Sequence, residues 1–146
     1  MAAGLISRDG FLGSDRRPLV QILAEDENTV NSLGLTHARI AERMAWFGRM
    51  GRPGLGTTVT VEDRWEVRVQ TVRGLLPCPW GHEGMYPKTN VFLRKLDTGE
   101  TLVWTDLSVH MIGEHGFYEG RGSGFRVEPE KAARVLGLDW ERGPDL

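Results

Sequence analysis

The stretch that decides the fold runs from Arg64 to Thr71 and reads Arg-Trp-Glu-Val-Arg-Val-Gln-Thr. Apolar side chains alternate with charged or amide side chains along it, which is the two-residue period of a β-strand. One face of such a strand packs on a core and the other is solvated, as is common in antiparallel sheets. We interpret the face that carries Arg64 and Arg68 as the solvated side, and we expect an antiparallel sheet here.

The residues on either side extend this sheet to four strands. Val59 and Val61 alternate with polar residues just before it. Further along, residues 91–96 and 101–104 flank the turn sequence Asp-Thr-Gly-Glu. Gly99 in this turn can take the positive φ that short hairpin loops require. We therefore expect a second hairpin to follow the first.

Helical signals lie before and after the predicted strands. Pro18 suits the first turn of a helix, and Thr36 suits the N-cap of a second one. We expect four helices, at about residues 18–33, 36–50, 105–115 and 128–137. The order ααββββαα predicts an α+β fold with two N-terminal helices, a small antiparallel sheet and a β-hairpin–helix module.

The length and composition fit one globular domain. The chain has 146 residues, of which 40% are hydrophobic and 26% charged, and these values are ordinary for a folded protein. Gly, Ser, Asp and Arg dominate residues 1–17, which we expect to be a loosely ordered N-terminus. Residues 18–146 are expected to form a single α+β domain. A net charge of −2 argues against a histone-like protein that coats polyanions.

The sequence also bears on the cellular compartment. No apolar run approaches the ~18 residues that a membrane span needs, and the first residues lack the apolar centre of a signal peptide. Cys78 is the only cysteine of the chain, so no internal disulfide points to an oxidising compartment. We expect a cytoplasmic protein without a membrane partner.

The one cysteine and three of the four histidines lie close together in the second half of the chain. Cys78 and His82 form a C-x3-H pair in a turn rich in Pro and Gly, and His110 and His115 form an H-x4-H pair on a predicted helix. Thiolate and imidazole are ligands that zinc prefers, and four of them close a tetrahedral site. The order of loop, hairpin and helix, with two ligands at each end, resembles the layout of small treble-clef-like zinc sites. We therefore predict a structural zinc ion held by these four residues.

The spacing of the second pair is a difficulty for this prediction. Positions five apart on a regular helix differ by about 140°, so His110 and His115 converge only if the last turn unwinds. Gly113 and Gly116 would allow such unwinding. Two other interpretations stay open, in which Cys78 is a small buried hydrophobe and His110 lies on a solvated helix face.

A catalytic alternative uses the same histidines. A hairpin followed by a helix that carries His is also the scaffold of ββα-metal nucleases. His82 would then activate water, and a divalent ion would be held by the one helix face that carries Asp106, His110 and Glu114. The small metal-dependent hydrolase or nuclease that this implies would have little basic surface with which to hold a phosphate backbone.

A loop that is rich in glycine and aromatic residues, at residues 116–126, is the second candidate surface. Aromatic and Arg side chains on such a loop can stack on bases or bind a phosphate. In the alternative interpretation, the aromatic side chains fold back on the core while the glycines allow sharp turns. The leading prediction is a non-catalytic binding or regulatory module that contacts a protein or a nucleic acid through this surface. The predicted partner-binding residues are Trp80, Phe117, Tyr118, Arg121, Phe125 and Arg126.

Overall fold

A computed structural model describes residues 11–81 and 85–138, and it confirms the predicted α+β fold. Within these residues the chain forms four α-helices, four β-strands and a short 3-10 turn at Arg52–Gly54. In chain order the elements are α1 (Leu19–Ser32), α2 (His37–Gly51), β1 (Val59–Val61), β2 (Trp65–Pro77), β3 (Met85–Lys95), β4 (Thr101–Thr105), α3 (Asp106–His115) and α4 (Pro129–Val135). None of the helices described has the length and apolar content to cross a membrane.

The sheet is antiparallel throughout, with the strands in the order β1-β2-β3-β4. Trp65, Val67 and Val69 are buried, whereas the residues between them are half-buried or exposed, so the predicted alternation is confirmed. The buried face packs against α2, where the ring of Phe47 lies edge-on to Trp65 at 5.1 Å between centroids. This main core also takes in Trp104, whose side chain is 1% exposed.

Strands β2 and β3 continue well beyond the alternating stretch. They pair from Trp65–Lys95 to Pro77–Met85, whereas β1 pairs only with residues 65–67 and β4 only with residues 90–94. A bulge interrupts β2 between Val72 and Leu75. We call residues 68–77 and 85–89 the β2–β3 ribbon. Because the ribbon extends past its neighbours, it carries the chain that follows β2 to the helix α3.

Helix α3 has well-formed ends. The Thr105 side chain accepts a hydrogen bond from the Ser108 backbone N–H, and the Ser108 side chain accepts one from the Thr105 backbone N–H, which makes a capping box. The helix ends at Gly116, whose φ of 64° is left-handed and therefore favours glycine. Both ends agree with the bounds expected from the sequence.

Residues 11–17 lie against the glycine-rich loop. The Gly120 N–H donates to the Phe11 carbonyl at 2.7 Å, and the Ser14 N–H donates to the Arg121 carbonyl at 3.1 Å. A Cβ on Gly120 would collide with the Leu12 carbonyl, so the two backbones are in direct contact. This part of the expected loosely ordered N-terminus thus makes specific contacts with the domain, and residues 1–10 lie outside the described residues.

Candidate metal centre

Three of the four predicted zinc ligands meet in space. Cys78 directly follows β2, and His110 and His115 lie on α3. The Cys78 sulfur and one ring nitrogen of each histidine all lie within 4.8 Å of one another. His82 falls in residues 82–84, outside the described residues, so its role as the fourth ligand stays a prediction.

The contact between Cys78 and His115 has the spacing of two zinc ligands. The Cys78 Sγ lies 3.6 Å from the His115 Nε2. In a tetrahedral site with Zn–S about 2.3 Å and Zn–N about 2.0–2.1 Å, sulfur and nitrogen are about 3.6 Å apart. The thiol is 4% exposed, and its sulfur accepts a hydrogen bond from the Trp80 backbone N–H at 3.4 Å.

Tyr86 orients the second imidazole. Its hydroxyl lies 3.2 Å from the His110 Nδ1, and its ring stacks on the imidazole at 4.6 Å between centroids. Histidines that bind metal usually hold their second nitrogen in a hydrogen bond of this kind, which fixes the ring orientation. With Nδ1 in contact with the hydroxyl, we assign the buried Nε2 of His110 as its ligand atom.

The H-x4-H spacing does not prevent convergence. Helix α3 stays regular as far as His115, yet the His110 and His115 rings lie 5.2 Å apart, edge to face at 76°. The ring of His115 stacks on Trp80 at 4.3 Å, with an angle of only 5° between the planes. The aromatic neighbours thus direct both imidazoles toward Cys78, and the unwinding of the last turn expected from the sequence is not needed.

An apolar cluster encloses Cys78 at the candidate site. Cys78 belongs to the second hydrophobic cluster of the fold, whose other fully buried members are Ile22, Leu107, Met111 and Phe117. Phe11 and Leu12 of the N-terminal segment pack against the same cluster. These contacts limit access of water, and the low dielectric strengthens the attraction between an ion and its ligands.

The residues proposed for the catalytic alternative are arranged differently. Asp106 lies 3.8 Å from the Arg52 guanidinium, and burial raises the pKa of its carboxyl above the ordinary value. Glu114 is exposed. Neither carboxylate belongs to the group that converges with His110.

Two aromatic residues predicted to contact a partner are buried instead. Phe117 is 0% exposed and packs in the second cluster, where its ring lies 5.2 Å from Trp80. Tyr118 is 1% exposed and its hydroxyl lies 2.8 Å from the His37 Nδ1. The prediction of a surface role for these two residues was wrong, because the loop folds its large apolar side chains back onto the core.

Arg126 is likewise a structural residue. Its side chain is 5% exposed, and its guanidinium donates two hydrogen bonds to Asp26, each 2.9 Å long, and further ones to Glu128. Burial alone would lower the pKa of Arg126, but these two carboxylates raise it above its usual value. This prediction was also wrong, because the cation is fully engaged inside the protein. Of the predicted partner-binding residues, Arg121 is exposed, and Trp80 and Phe125 are half-buried.

Sequence reasoning missed two residues of this region. Tyr86 stands 24 positions from His110, and no local pattern links the two. Glu119 is a buried acid with a left-handed φ of 70°, and only the surrounding glycines signal unusual backbone there. Burial raises the pKa of Glu119 to about 7, although hydrogen bonding by Ser123 and the charge of Arg126 act to lower it.

The chain has no counterpart in the comparisons with known proteins: no family model, curated protein or solved structure matches it.

Proposed function

We propose that this chain is a zinc-binding module in which the ion joins the end of β2 to helix α3. The observation that carries the proposal is the convergence of the Cys78 sulfur and the two imidazoles of α3 within 4.8 Å. The match of the Cys78–His115 distance to the edge of a zinc tetrahedron adds to it. Zinc is favoured over magnesium or calcium because the donors are sulfur and nitrogen rather than oxygen.

The ion is proposed to be structural. The sulfur is buried in an apolar cluster, and a fourth protein ligand, predicted to be His82, would leave no position open for substrate. Binding energy of such an ion contributes directly to folding. A thiolate ligand must stay reduced, which fits the expected cytoplasmic location.

The module is proposed to act by binding rather than by catalysis. Its partner is a protein or a nucleic acid, and the glycine-rich loop offers Arg121, Phe125 and the neighbouring Trp80 to it. The alternative, a metal-dependent nuclease, needs carboxylate ligands near His110, and the positions of Asp106 and Glu114 do not favour it.

The experiment measures metal content and thermal stability together. Purified full-length protein is expected to contain one zinc ion per chain. Removal of the ion with a chelator should lower the melting temperature by several degrees. For a protein of this size, each kcal/mol of lost stability lowers the melting temperature by about 2–4 °C. Cys78→Ser and His110→Ala should each lose the ion. Cobalt in place of zinc should give the absorption of a tetrahedral thiolate site in the wild type and not in Cys78→Ser.

The matched control is His37→Asn, since His37 contacts Tyr118 and lies outside the three-ligand group. This variant should keep the ion. His82→Ala tests the fourth ligand, and loss of tetrahedral cobalt absorption there would support it. Metal-free wild-type protein that melts at the same temperature with and without chelator would contradict the proposal.

A further inference from the structure

The face of the sheet opposite the core forms a surface of its own. Side chains alternate between the two faces of a strand, so this outer sheet face is given by the pairing register. It comprises Thr60 of β1; Glu66, Arg68 and Gln70 of β2; Lys88, Asn90, Phe92 and Arg94 of β3; and Thr101 and Val103 of β4. Each of these residues is half-buried or exposed. Thr105, which pairs with Asn90 on the same face, is buried. The helices supply the apolar residues that pack on the other face.

An apolar depression lies at the centre of the outer sheet face. Phe92 and Val103 are directly paired across β3 and β4, and together with Arg68 and Arg94 they line a cavity of about 270 Å³. The guanidinium of Arg68 lies 4.1 Å from the centroid of the Phe92 ring. The guanidinium therefore covers the ring, and unpaired bases stack on Arg guanidinium planes as they do on aromatic side chains.

The charge of this face is opposite to that of the whole chain. Arg68, Lys88 and Arg94 oppose one carboxylate, Glu66, among the described residues of the face, whereas the chain has a net charge of −2. Arg94 lies 3.2 Å from Glu66 and neutralises it. The local excess of positive charge is complementary to a phosphate backbone and would steer it to this face.

The next row of the face offers hydrogen-bonding groups. Gln70 and Asn90 are paired across β2 and β3, and side-chain amides can both donate to and accept from base edges. Successive rows on one face of a strand are about 6.8 Å apart. Stacking, amide and cationic groups therefore follow one another along the strands.

We propose that the outer sheet face binds single-stranded nucleic acid, with a base stacked on the Arg68 guanidinium that covers Phe92, and with a phosphate near Lys88. A single strand fits better than a duplex, because only unpaired bases expose the faces that stack. This interaction is independent of the metal proposal and uses a different part of the molecule from the glycine-rich loop.

The test is fluorescence anisotropy of labelled oligo(dT) and oligo(U) with the zinc-supplemented full-length protein. We expect saturable binding that weakens as salt is raised, and weaker binding of a duplex. Phe92→Leu keeps an apolar side chain but removes the ring, and it should weaken binding about fivefold to a hundredfold. Unchanged melting temperature would show that the variant is folded.

Two matched double variants test whether positive charge on the outer sheet face, rather than elsewhere, strengthens oligonucleotide binding. Arg68→Gln with Lys88→Gln, and Arg39→Gln with Arg49→Gln on α2, remove the same two charges. The first should weaken binding about tenfold or more, and the second should leave it within about twofold. Equal losses in both, no binding of either oligonucleotide, or equally strong competition by polyglutamate would overturn the proposal. The last result would identify an acidic protein segment as the ligand.

Discussion

Glu119 concentrates several unusual features in one residue. Its side chain is 5% exposed, it accepts a hydrogen bond from the Ser123 hydroxyl, and its backbone carbonyl accepts one from the buried Arg126. Burial raises its pKa to about 7 from an ordinary 4.5. The native fold therefore favours the protonated acid, and this residue ties stability to pH.

The sign of this dependence follows from the two pKa values. Below about pH 4.5 the acid is neutral in both states, and its contribution to stability is fully present. As pH rises toward 7, the unfolded chain ionises first, and the native state loses up to about 3 kcal/mol. We expect Glu119→Gln and the wild type to be equally stable at about pH 4, and Glu119→Gln to be the more stable of the two at about pH 8.

Chemical denaturation of the wild type and Glu119→Gln across this pH range gives the difference between their free energies of unfolding. Groups that titrate in both proteins cancel in this difference. Glu42→Gln, at a side chain 72% exposed, is the control and should change stability little at either pH. A constant difference between Glu119→Gln and wild type from acid to alkaline pH would rule out this role of the carboxyl.

Tyr86 is expected to tune metal affinity without binding the ion. Tyr86→Phe keeps the ring that stacks on His110 and removes only the hydroxyl near Nδ1. Zinc affinity should fall about 10–100-fold, as is typical when the partner of a ligating histidine is lost. Competition with a chromophoric chelator measures this, with Tyr118→Phe, whose hydroxyl contacts His37 instead, as the control. An unchanged affinity would show that the hydroxyl does not orient the imidazole.

At the scale of elements, the C-terminus of α3 is fixed by one glycine. Gly116 has a φ of 64°, and a Cβ there would lie 2.8 Å from the Nε2 of His37. Gly116→Ala should therefore suffer both the strain of a left-handed alanine and a collision with α2. We expect a loss of about 2–3 kcal/mol in the free energy of unfolding.

Gly99→Ala separates these two effects. Gly99 has a similar φ of 76° in the β3–β4 turn, but nothing lies within 4 Å of its added Cβ. It should lose about 1 kcal/mol from backbone strain alone. Equal losses in the two variants, measured by denaturant unfolding, would mean that His37 moves aside without penalty.

At the scale of the whole molecule, the sequence predicts the layout of the domain well. The alternation at residues 64–70 and the caps at Thr36 and Thr105 are local signals, and the structure confirms them, although Thr71, the last inward position of the pattern, is exposed. The length of the β2–β3 ribbon is not predictable in this way, because the bulge at residues 72–75 breaks the alternation. The packing of residues 11–17 is not predictable from the sequence either, because many of its contacts are made by backbone groups, which every residue type carries.

The candidate site was predictable in chemistry and less so in arrangement. Cys78, His110 and His115 are recognisable as candidate ligands from their residue types, and they do meet. The burial of Phe117, Tyr118 and Arg126 depends on the direction in which a loop turns. That direction is decided by the apolar clusters and by Asp26, a partner 100 positions away from Arg126, which no local pattern shows.

The β2–β3 ribbon also affects the tendency of the protein to aggregate through its strand edges. Residues 68–77 of β2 pair only with β3 among the described strands, and an unpaired strand edge is a template on which further chains assemble. The bulge distorts this edge, and neither Pro77 in β2 nor Pro87 in β3, at the opposite edge of the ribbon, has an N–H to offer to an incoming strand. The same irregularities that hide the ribbon from sequence analysis therefore guard it against amyloid-like growth.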